Sequence, residues 1–282
     1  MTDGKGRVAL VTGGGKGFGR AIARRLLANG FAVVICGRGA PDELPSHDGA
    51  TAEFEACDVR EADAVQAMVE RIFARHGRLD LAVNNAGGSP EADAATASPR
   101  FSERVLALNL LAPLHVAQAA NRIMQAQAEG GGIVNIASVS GVRPSPGTAV
   151  YGAAKAGLLS LTESLAMEWG PKVRVNAVVV GLVATDAAAD HYGGAEGMKR
   201  IDAMLPLGRM ANGADIAGVV SFLASPDAAY VSGARIAVHG GGERPVFLTL
   251  ANGGGEHTVS SPNSPQNRDP SFPLHHRHQI PP

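Results

Sequence analysis

A tyrosine and a lysine four residues apart form the most chemically suggestive pair in this 282-residue chain. Tyr151 and Lys155 lie in a stretch of helical pattern, where positions i and i+4 share one helix face. An ammonium near a phenol favours the phenolate, and a tyrosine with its ordinary pKa of about 10 is a poor acid–base catalyst near neutral pH. The spacing therefore predicts that Lys155 assists proton transfer by Tyr151.

A serine stands where a buried strand is predicted to end. Ser138 follows the apolar run 132–137, and open α/β sheets bind their ligands beyond the carboxyl ends of their strands. Its hydroxyl is placed to hydrogen-bond a carbonyl oxygen on which negative charge develops. Taken alone, such a serine more often caps a helix or turn, and an isolated Tyr–Lys pair more often lies on a helix surface.

A glycine-rich segment separates the first apolar run, 7–12, from a helical pattern at 21–28. Glycines allow a tight turn and a close approach to a pyrophosphate, while the helix N-terminus supplies free N–H groups and a positive dipole end. The segment predicts a dinucleotide-binding site, with an ordinary flexible turn as the alternative. The residues expected to contact the cofactor here are Gly13, Gly15, Lys16, Gly17, Phe18 and Gly19.

Apolar runs and helical patterns alternate along most of the chain. Strands are predicted at 7–12, 31–36, 52–57, 79–84, 132–137, 173–180 and 234–238. Helices are predicted at 21–28, 61–75, 100–128, 149–169 and 215–224. Continuous apolar strands separated by helices indicate an α/β fold, a single-domain Rossmann-type doubly wound parallel sheet of about seven strands with helices on both faces.

The composition changes near residue 243. Residues 1–243 are expected to form the dinucleotide-binding and catalytic domain, with a substrate loop at about 182–209. Residues 244–282 are rich in Gly, Pro, Ser and His and predict a disordered tail. We expect no metal site, because the tail histidines His275, His276 and His278 lack a carboxylate framework.

Charge and apolar patterning narrow the function classes. A net charge of −1 with dispersed basic residues argues against nucleic-acid or anionic-membrane partners. The apolar runs are far shorter than the ~20 residues of a membrane span, and the start lacks a signal pattern, so a cytoplasmic protein is expected. Cys36 and Cys57 lack the paired spacing of a zinc site or disulfide framework and are expected to be buried free thiols.

The glycine segment has the spacing T-G-x-x-x-G-x-G and resembles that of the short-chain dehydrogenase/reductase family. Further landmarks follow in the family's order and spacing: the sequence Asn-Asn-Ala-Gly at 84–87, then Asn109, Ser138, Tyr151 and Lys155. The resemblance covers residues 7–242, and within the family the chain resembles the 3-oxoacyl-carrier-protein reductase branch. It does not include the tail.

The resemblance implies catalytic roles. Ser138 would bind the carbonyl oxygen, Tyr151 would pass its proton to that oxygen, and Lys155 would also bind the nicotinamide ribose. Asn109 would support a water-linked proton relay, although an asparagine in a helix can simply mark a kink. The resemblance also implies a homo-oligomer, a dimer or tetramer, formed through the helices that carry Asn109 and Tyr151.

The end of the second predicted strand indicates the cofactor. NAD enzymes place an acidic residue there against the ribose 2′-hydroxyl, whereas this chain has Arg38, which with Lys16 suits a 2′-phosphate. NADP(H) is therefore favoured over NAD(H), the alternative being that both cations are merely solvated. Further cofactor contacts implied by the resemblance are Asp58 and Val59 at the adenine, Asn85, Ala86 and Gly87 at its ribose, and Gly181, Val183 and Thr185 at the nicotinamide.

These observations predict an NADP(H)-dependent oxidoreductase that interconverts a carbonyl and a secondary alcohol, with a 3-oxoacyl thioester as the first candidate substrate. Steroid-like or alicyclic alcohols are the second candidate, and a non-catalytic NADP-binding sensor or scaffold is the competing class. Small and apolar residues at 184–206 favour a hydrophobic substrate, although a mobile loop without selective contacts fits equally well. Arg143 is placed to attract a carboxylate or phosphopantetheine-type group, but a solvated arginine is the more ordinary interpretation.

Overall fold

The computed structural model describes residues 6–184, 193–243 and 245. Its main sheet contains β1 (Val8–Thr12), β2 (Ala32–Gly37), β5 (Glu53–Ala56), β6 (Leu81–Asn84), β7 (Gly131–Ser138), β8 (Val173–Val180) and β9 (Arg235–Val238). The spatial order is β5-β2-β1-β6-β7-β8-β9, and every neighbouring pair is parallel. This arrangement confirms the predicted Rossmann-type fold.

Helices surround the sheet. They are α1 (Gly17–Ala28), α2 (Ala62–His76), α3 (Pro99–Leu106), α4 (Ala112–Ala126), α5 (Ala149–Trp169), α6 (Gly194–Met204) and α7 (Gly213–Leu223). Successive strand residues point to opposite faces, so β1 contributes Ala9 and Val11 to one core cluster and Val8 and Leu10 to another. The first cluster includes buried residues of α1 and α7, and the second includes those of α2 and α4.

The order of the strands fixes where a ligand can bind. From β1 the chain runs outward through β2 to β5, then returns to the other side of β1 and continues from β6 to β9. The carboxyl ends of β1 and β6 therefore border the crevice at which the strand order reverses. Open α/β sheets bind ligands at such a crevice.

Three local features differ from the predicted elements. The predicted helix 100–128 is interrupted by a π-helical turn, Ala107–Leu111, between α3 and α4. A small hairpin of β3 (Ser46–His47) and β4 (Ala50–Thr51) precedes β5. Helix α6 lies within the stretch at about 182–209 that was predicted as a substrate loop.

Some predictions fall on parts of the chain that the structure does not describe. The predicted tail, with His275, His276 and His278, lies outside the described residues apart from position 245. Across the described ranges, no helix is long and apolar enough to cross a bilayer. Within the same ranges, no group of three or more His, Cys, Asp or Glu side chains is arranged to hold a metal ion.

Candidate active site

The glycine segment forms a tight turn between β1 and α1. Gly13 and Gly17 have φ values of 64° and 52°, in the left-handed region that side chains rarely adopt. A Cβ on Gly19 would lie 2.3 Å from the Gly13 carbonyl oxygen. The turn therefore requires glycine for its conformation and for its close packing, and it leaves backbone N–H groups at the start of α1 facing the crevice.

Hydrogen bonds fasten this turn to the loop after β6. The Thr12 hydroxyl accepts hydrogen bonds from the backbone N–H groups of Asn85 and Ala86, at 3.0 and 2.9 Å. In return, the Asn85 side-chain amide donates to the carbonyl oxygens of Thr12 and Gly13, at 2.9 and 3.2 Å. These contacts hold the two strand ends that border the crevice in a fixed relation.

A cavity of about 430 Å³ lies over these strand ends. Its size falls within the range usual for small-molecule sites. Predicted cofactor residues that line it are Gly13, Lys16, Gly17, Phe18, Gly19, Arg38, Asp58, Val59, Asn85, Ala86 and Gly87. Lining residues that were not predicted are Cys36, Gly37, Cys57, Arg60 and Leu108. Gly15 is not among the lining residues; a Cβ there would lie 3.2 Å from the Pro41 side chain.

Three cations and one anion give the cavity its charge. The cations are Lys16, Arg38 and Arg60, and the anion is Asp58. The Arg60 guanidinium forms an ion pair with Asp58. These hydrogen bonds are the main reason that the pKa of Asp58 is lowered to about 2, and the charge of Arg38 lowers it further. The surplus of positive charge suits an anionic ligand.

The predicted catalytic side chains approach one another across the end of β7 and the start of α5. Ser138 is the last residue of β7, and its hydroxyl accepts a hydrogen bond from the Ser140 N–H at 3.2 Å. Tyr151 and Lys155 both lie on α5. The Lys155 ammonium donates to the Ile136 carbonyl oxygen at 2.8 Å and lies 5.6 Å from the centre of the Tyr151 ring.

Burial dominates the protonation of this pair. It raises the pKa of Tyr151 above the ordinary value, while a hydrogen bond with the Ser138 hydroxyl lowers it. Burial lowers the pKa of Lys155 to about 8. The expected lowering of the Tyr151 pKa by Lys155 is thus not seen: burial raises the pKa of the phenol, and the Lys155 ammonium donates to the Ile136 carbonyl oxygen instead.

Asn109 lies in the π-helical turn and is fully buried. Its amide nitrogen donates to the carbonyl oxygens of Gly88 and Val105, each at 2.9 Å. Its amide oxygen accepts from the Gly88 N–H at 2.8 Å. Asn109 therefore joins the π-helical turn to the loop after β6, and π-turns occur frequently at functional sites.

Gly87 connects the cavity to the catalytic side chains. It lines the cavity, and a Cβ built on it would lie 2.8 Å from the Asn109 amide oxygen and 3.3 Å from the Lys155 nitrogen. Any larger residue would fill the space between these groups. Asn109 and Lys155 are not among the residues that line the cavity, but both lie beside Gly87, so the cavity adjoins the predicted catalytic side chains at this glycine.

The segment after β8 is described only in part. A Cβ on Gly181 would lie 2.5 Å from the His239 Cβ, and Val183 bridges to Ala211. Thr185 lies outside the described residues, as do 186–192 of the predicted substrate loop. Neither Gly181 nor Val183 lines the 430 Å³ cavity.

Comparisons with known proteins bear on this arrangement. The family described as enoyl-(acyl carrier protein) reductase matches residues 13–243. The chain belongs to the short-chain dehydrogenase/reductase family. It is 35% identical to the 3-oxoacyl-(acyl-carrier-protein) reductase of Chlamydia muridarum, covering 83% of this chain and 96% of that protein. It is 37% identical to the (3R)-3-hydroxyacyl-CoA dehydrogenase of Mus musculus, covering 83% and 95%.

Solved structures agree with the family. The ligand-free aldohexose dehydrogenase of Thermoplasma acidophilum superimposes with a TM-score of 0.79 at 28% identity, covering 85% of this chain and 95% of that one. As a short-chain dehydrogenase/reductase, the protein is an oxidoreductase that acts on CH–OH groups.

Some of the lining residues were accessible to sequence reasoning and others were not. Arg60 stands two residues after Asp58, so its charge could have been included from the sequence. Thr12 does not line the cavity, but it ends the first predicted strand, and its role in holding the turn could have been proposed from that position. Leu108 enters the cavity from the π-helical turn, and only the tertiary arrangement places it there.

Proposed function

We propose that this protein is an NADP(H)-dependent oxidoreductase that interconverts a carbonyl compound and a secondary alcohol at Tyr151. The observation that carries the proposal is the position of Gly87, which lines the cavity and lies beside Asn109 and Lys155. A nucleotide site and a proton-transfer site thereby adjoin. A non-catalytic sensor would not need a buried lysine and a buried asparagine beside the nucleotide.

The residues of the cavity fit a dinucleotide phosphate. Gly13, Gly17 and Gly19 form a cradle that side chains would fill, beside the N-terminus of α1. Arg38 and Lys16 would hold the 2′-phosphate by charge-assisted hydrogen bonds. When bound, the nicotinamide supplies or accepts the hydride.

The remaining proposed cofactor contacts follow the family resemblance. They are Gly15 and Phe18 in the turn, Asp58 and Val59 at the adenine, Asn85, Ala86 and Gly87 at its ribose, Tyr151 and Lys155 at the nicotinamide ribose, and Gly181, Val183 and Thr185 at the nicotinamide. Asp58 is ionised at neutral pH, since its pKa is about 2, and is thus able to accept a hydrogen bond from an adenine amino group.

The catalytic side chains have distinct tasks. Tyr151 gives its phenolic proton to the carbonyl oxygen in the reduction and removes it in the oxidation. Ser138 hydrogen-bonds that oxygen and already lowers the pKa of Tyr151. Lys155 places a positive charge behind the phenol once a ligand draws its ammonium from Ile136, and Asn109 holds the π-helical turn from which a water-linked relay would start.

A 3-oxoacyl thioester is our first candidate substrate. Support comes from the relatives named for 3-oxoacyl-(acyl-carrier-protein) reduction and (3R)-3-hydroxyacyl-CoA oxidation, which cover most of the chain. Steroid-like or alicyclic alcohols are the second candidate, and the likeness to a solved aldohexose dehydrogenase supports oxidation of an alcohol other than a hydroxyacyl thioester on this fold.

We further propose that the protein is a cytoplasmic homo-oligomer, a dimer or tetramer, whose residues 1–243 form the working domain. Helices α4 and α5 would supply the contact between copies. Analytical ultracentrifugation of the full chain tests this proposal. A monomer at micromolar concentration would contradict it.

Cofactor preference and substrate class are tested together. The dissociation constants of NADPH and NADH are measured by nucleotide fluorescence for the wild type and for Arg38→Ala, with Arg235→Ala as a control that changes an arginine paired with Glu163 outside the cavity. We expect NADPH to bind more tightly, and Arg38→Ala to weaken NADPH by about tenfold while leaving NADH nearly unchanged. Turnover of acetoacetyl thioesters and cyclic ketones then ranks the substrates. An equal loss of affinity for NADPH and NADH in Arg38→Ala would overturn the proposed role of Arg38 at the 2′-phosphate.

A further inference from the structure

An ion pair joins two distant parts of the chain beside the catalytic side chains. The Arg143 guanidinium donates from two nitrogens to the two carboxylate oxygens of Glu243, with Nε–Oε2 at 3.1 Å. A third donor contacts the Pro144 carbonyl oxygen at 3.1 Å. The side chains are 41% and 24% exposed, so the pair stands at the protein surface with its polar groups already engaged.

Arg143 belongs to the same turn as Ser138. A short 3-10 helix, Val139–Gly141, follows the serine, and the Arg143 N–H donates to the Val139 carbonyl oxygen at 3.1 Å. This turn packs on α5, because a Cβ on Gly152, next to Tyr151, would lie 2.8 Å from the Ser140 oxygen. A substrate whose carbonyl oxygen meets Ser138 and Tyr151 therefore extends past Arg143 when it leaves the site on this side.

Glu243 reaches Arg143 at the end of a glycine strap, which we define as residues 240–243. Gly240, Gly241 and Gly242 have φ values of 62°, 95° and 83°. The strap crosses the segment after α6, where the Leu207 N–H donates to the Gly240 oxygen at 3.2 Å and a Cβ on Gly241 would lie 2.7 Å from Pro206. It thus runs from the end of β9, past Pro206 and Leu207, to Arg143.

We propose that Glu243 is a specificity-determining residue, which occupies the Arg143 guanidinium and so makes the enzyme favour uncharged acyl derivatives over the corresponding free oxoacids. This inference rests on the proposed carbonyl–alcohol chemistry. It concerns the charge that the substrate carries next to the reacting carbonyl. A 3-oxoacyl thioester or ester is neutral there, and its hydrolysis product is a carboxylate.

The preference for uncharged substrates follows from what a charged substrate has to displace at Arg143. A free oxoacid must replace one carboxylate by another on the same guanidinium, which gains no pairing. After displacement, the Glu243 carboxylate stays close to Arg143, because the strap holds it there, and it repels the incoming anion. A thioester meets neither penalty, since it leaves the ion pair intact. Without the Glu243 charge, Arg143 would instead attract the oxoacid.

A matched pair of substrates tests the proposal. Acetoacetate and ethyl acetoacetate share the reacting chain and differ in the charge at C1. We measure kcat/KM for both with NADPH in the wild type, Glu243→Gln, and the double variant Arg143→Gln/Glu243→Gln. Glu53→Gln, which loses a surface ion pair with Arg75, is the control for removal of an exposed carboxylate.

We expect the ratio of kcat/KM for acetoacetate to that for the ester to rise about fivefold in Glu243→Gln. The ratio should return to the wild-type value in the double variant and stay unchanged in Glu53→Gln. An equal change in kcat/KM for both substrates in Glu243→Gln, or no change, would overturn the proposal. The ion pair would then only hold the glycine strap in place.

Calorimetric binding of acetoacetate separates this inference from the proposed function. If no variant reduces any carbonyl compound, the proposed function has failed, and the binding data still decide the role of Glu243. Tighter binding of acetoacetate to Glu243→Gln than to the wild type, lost again in the double variant, would support the role. Binding that is absent or equal in both would contradict it.

Discussion

Replacing Lys155 by methionine is expected to stabilise the fold at neutral pH while it removes activity. Lys155 is 4% exposed, and burial lowers the pKa of its ammonium from 10.5 to about 8. That difference corresponds to roughly 3 kcal/mol by which the folded state disfavours the charged lysine. Methionine gives up the hydrogen bond to Ile136, about 1 kcal/mol, so a net gain of about 2 kcal/mol remains.

The pH dependence has a definite sign. Below about pH 8 the lysine is charged in both states, and the folded protein bears the whole penalty. As the pH rises from 8 to 10.5, the folded lysine is neutral while the unfolded one still binds its proton. The free energy of unfolding of the wild type therefore increases through this window relative to the variant.

Urea denaturation without cofactor, at pH 7 and pH 10, measures both effects. Lys155→Met should unfold with a free energy about 2 kcal/mol higher at pH 7, or a melting temperature about 4–8 °C higher, and the advantage should shrink at pH 10. Lys199→Met, at a 74% exposed lysine, is the control and should change little. A variant less stable than the wild type at pH 7, or an advantage independent of pH, would refute the reasoning.

Three further predictions follow from individual contacts. Gly19→Ala should abolish NADPH binding and lower the free energy of unfolding by about 1–3 kcal/mol, because its Cβ would meet the Gly13 oxygen at 2.3 Å. The control Gly218→Ala, at a glycine with open space around it, should stabilise helix α7 by about 0.5–1 kcal/mol. Similar denaturation curves for the two variants would contradict this prediction. Arg60→Ala should raise the pKa of Asp58 from about 2 towards its ordinary value in a carboxyl NMR titration, and an unchanged value would show that Arg60 is not the cause. Truncation after Glu243 should leave NADPH binding intact, and a large loss of affinity or solubility would show that the tail is required.

Most of the sheet was predictable because β1, β2, β6, β7 and β8 are largely apolar runs buried on both faces, and glycine and helix-start signals separated the runs. The strands at the two edges of the sheet, β5 and β9, are more exposed. The hairpin of β3 and β4 was missed although Asp48-Gly49 stood at its turn, with both residues in the left-handed region. The signal was local and could have been read.

Other features had little or no sequence signal. Asn109 could have marked a kink in the predicted helix, but its hydrogen bonds to Gly88 and Val105 in the π-helical turn depend on the loop after β6. The orientation of Lys155 towards Ile136 likewise follows from burial. The pairing of Arg143 with Glu243 joins residues 100 positions apart, and only the tertiary fold brings them together. The residue types identified the candidate side chains in the sequence, but only the structure shows which groups each side chain contacts.

The most direct test of the proposed function is reduction of a carbonyl compound by NADPH in the wild type and in Tyr151→Phe, with nucleotide binding measured alongside. Tyr230→Phe is the control, because Tyr230 is fully exposed. The proposal predicts turnover of an acetoacetyl thioester in the wild type and in Tyr230→Phe, with a loss of about 10²–10⁴-fold in Tyr151→Phe, which should still bind NADPH. Turnover that survives in Tyr151→Phe, or NADPH binding with no turnover of any carbonyl in the wild type, would contradict it.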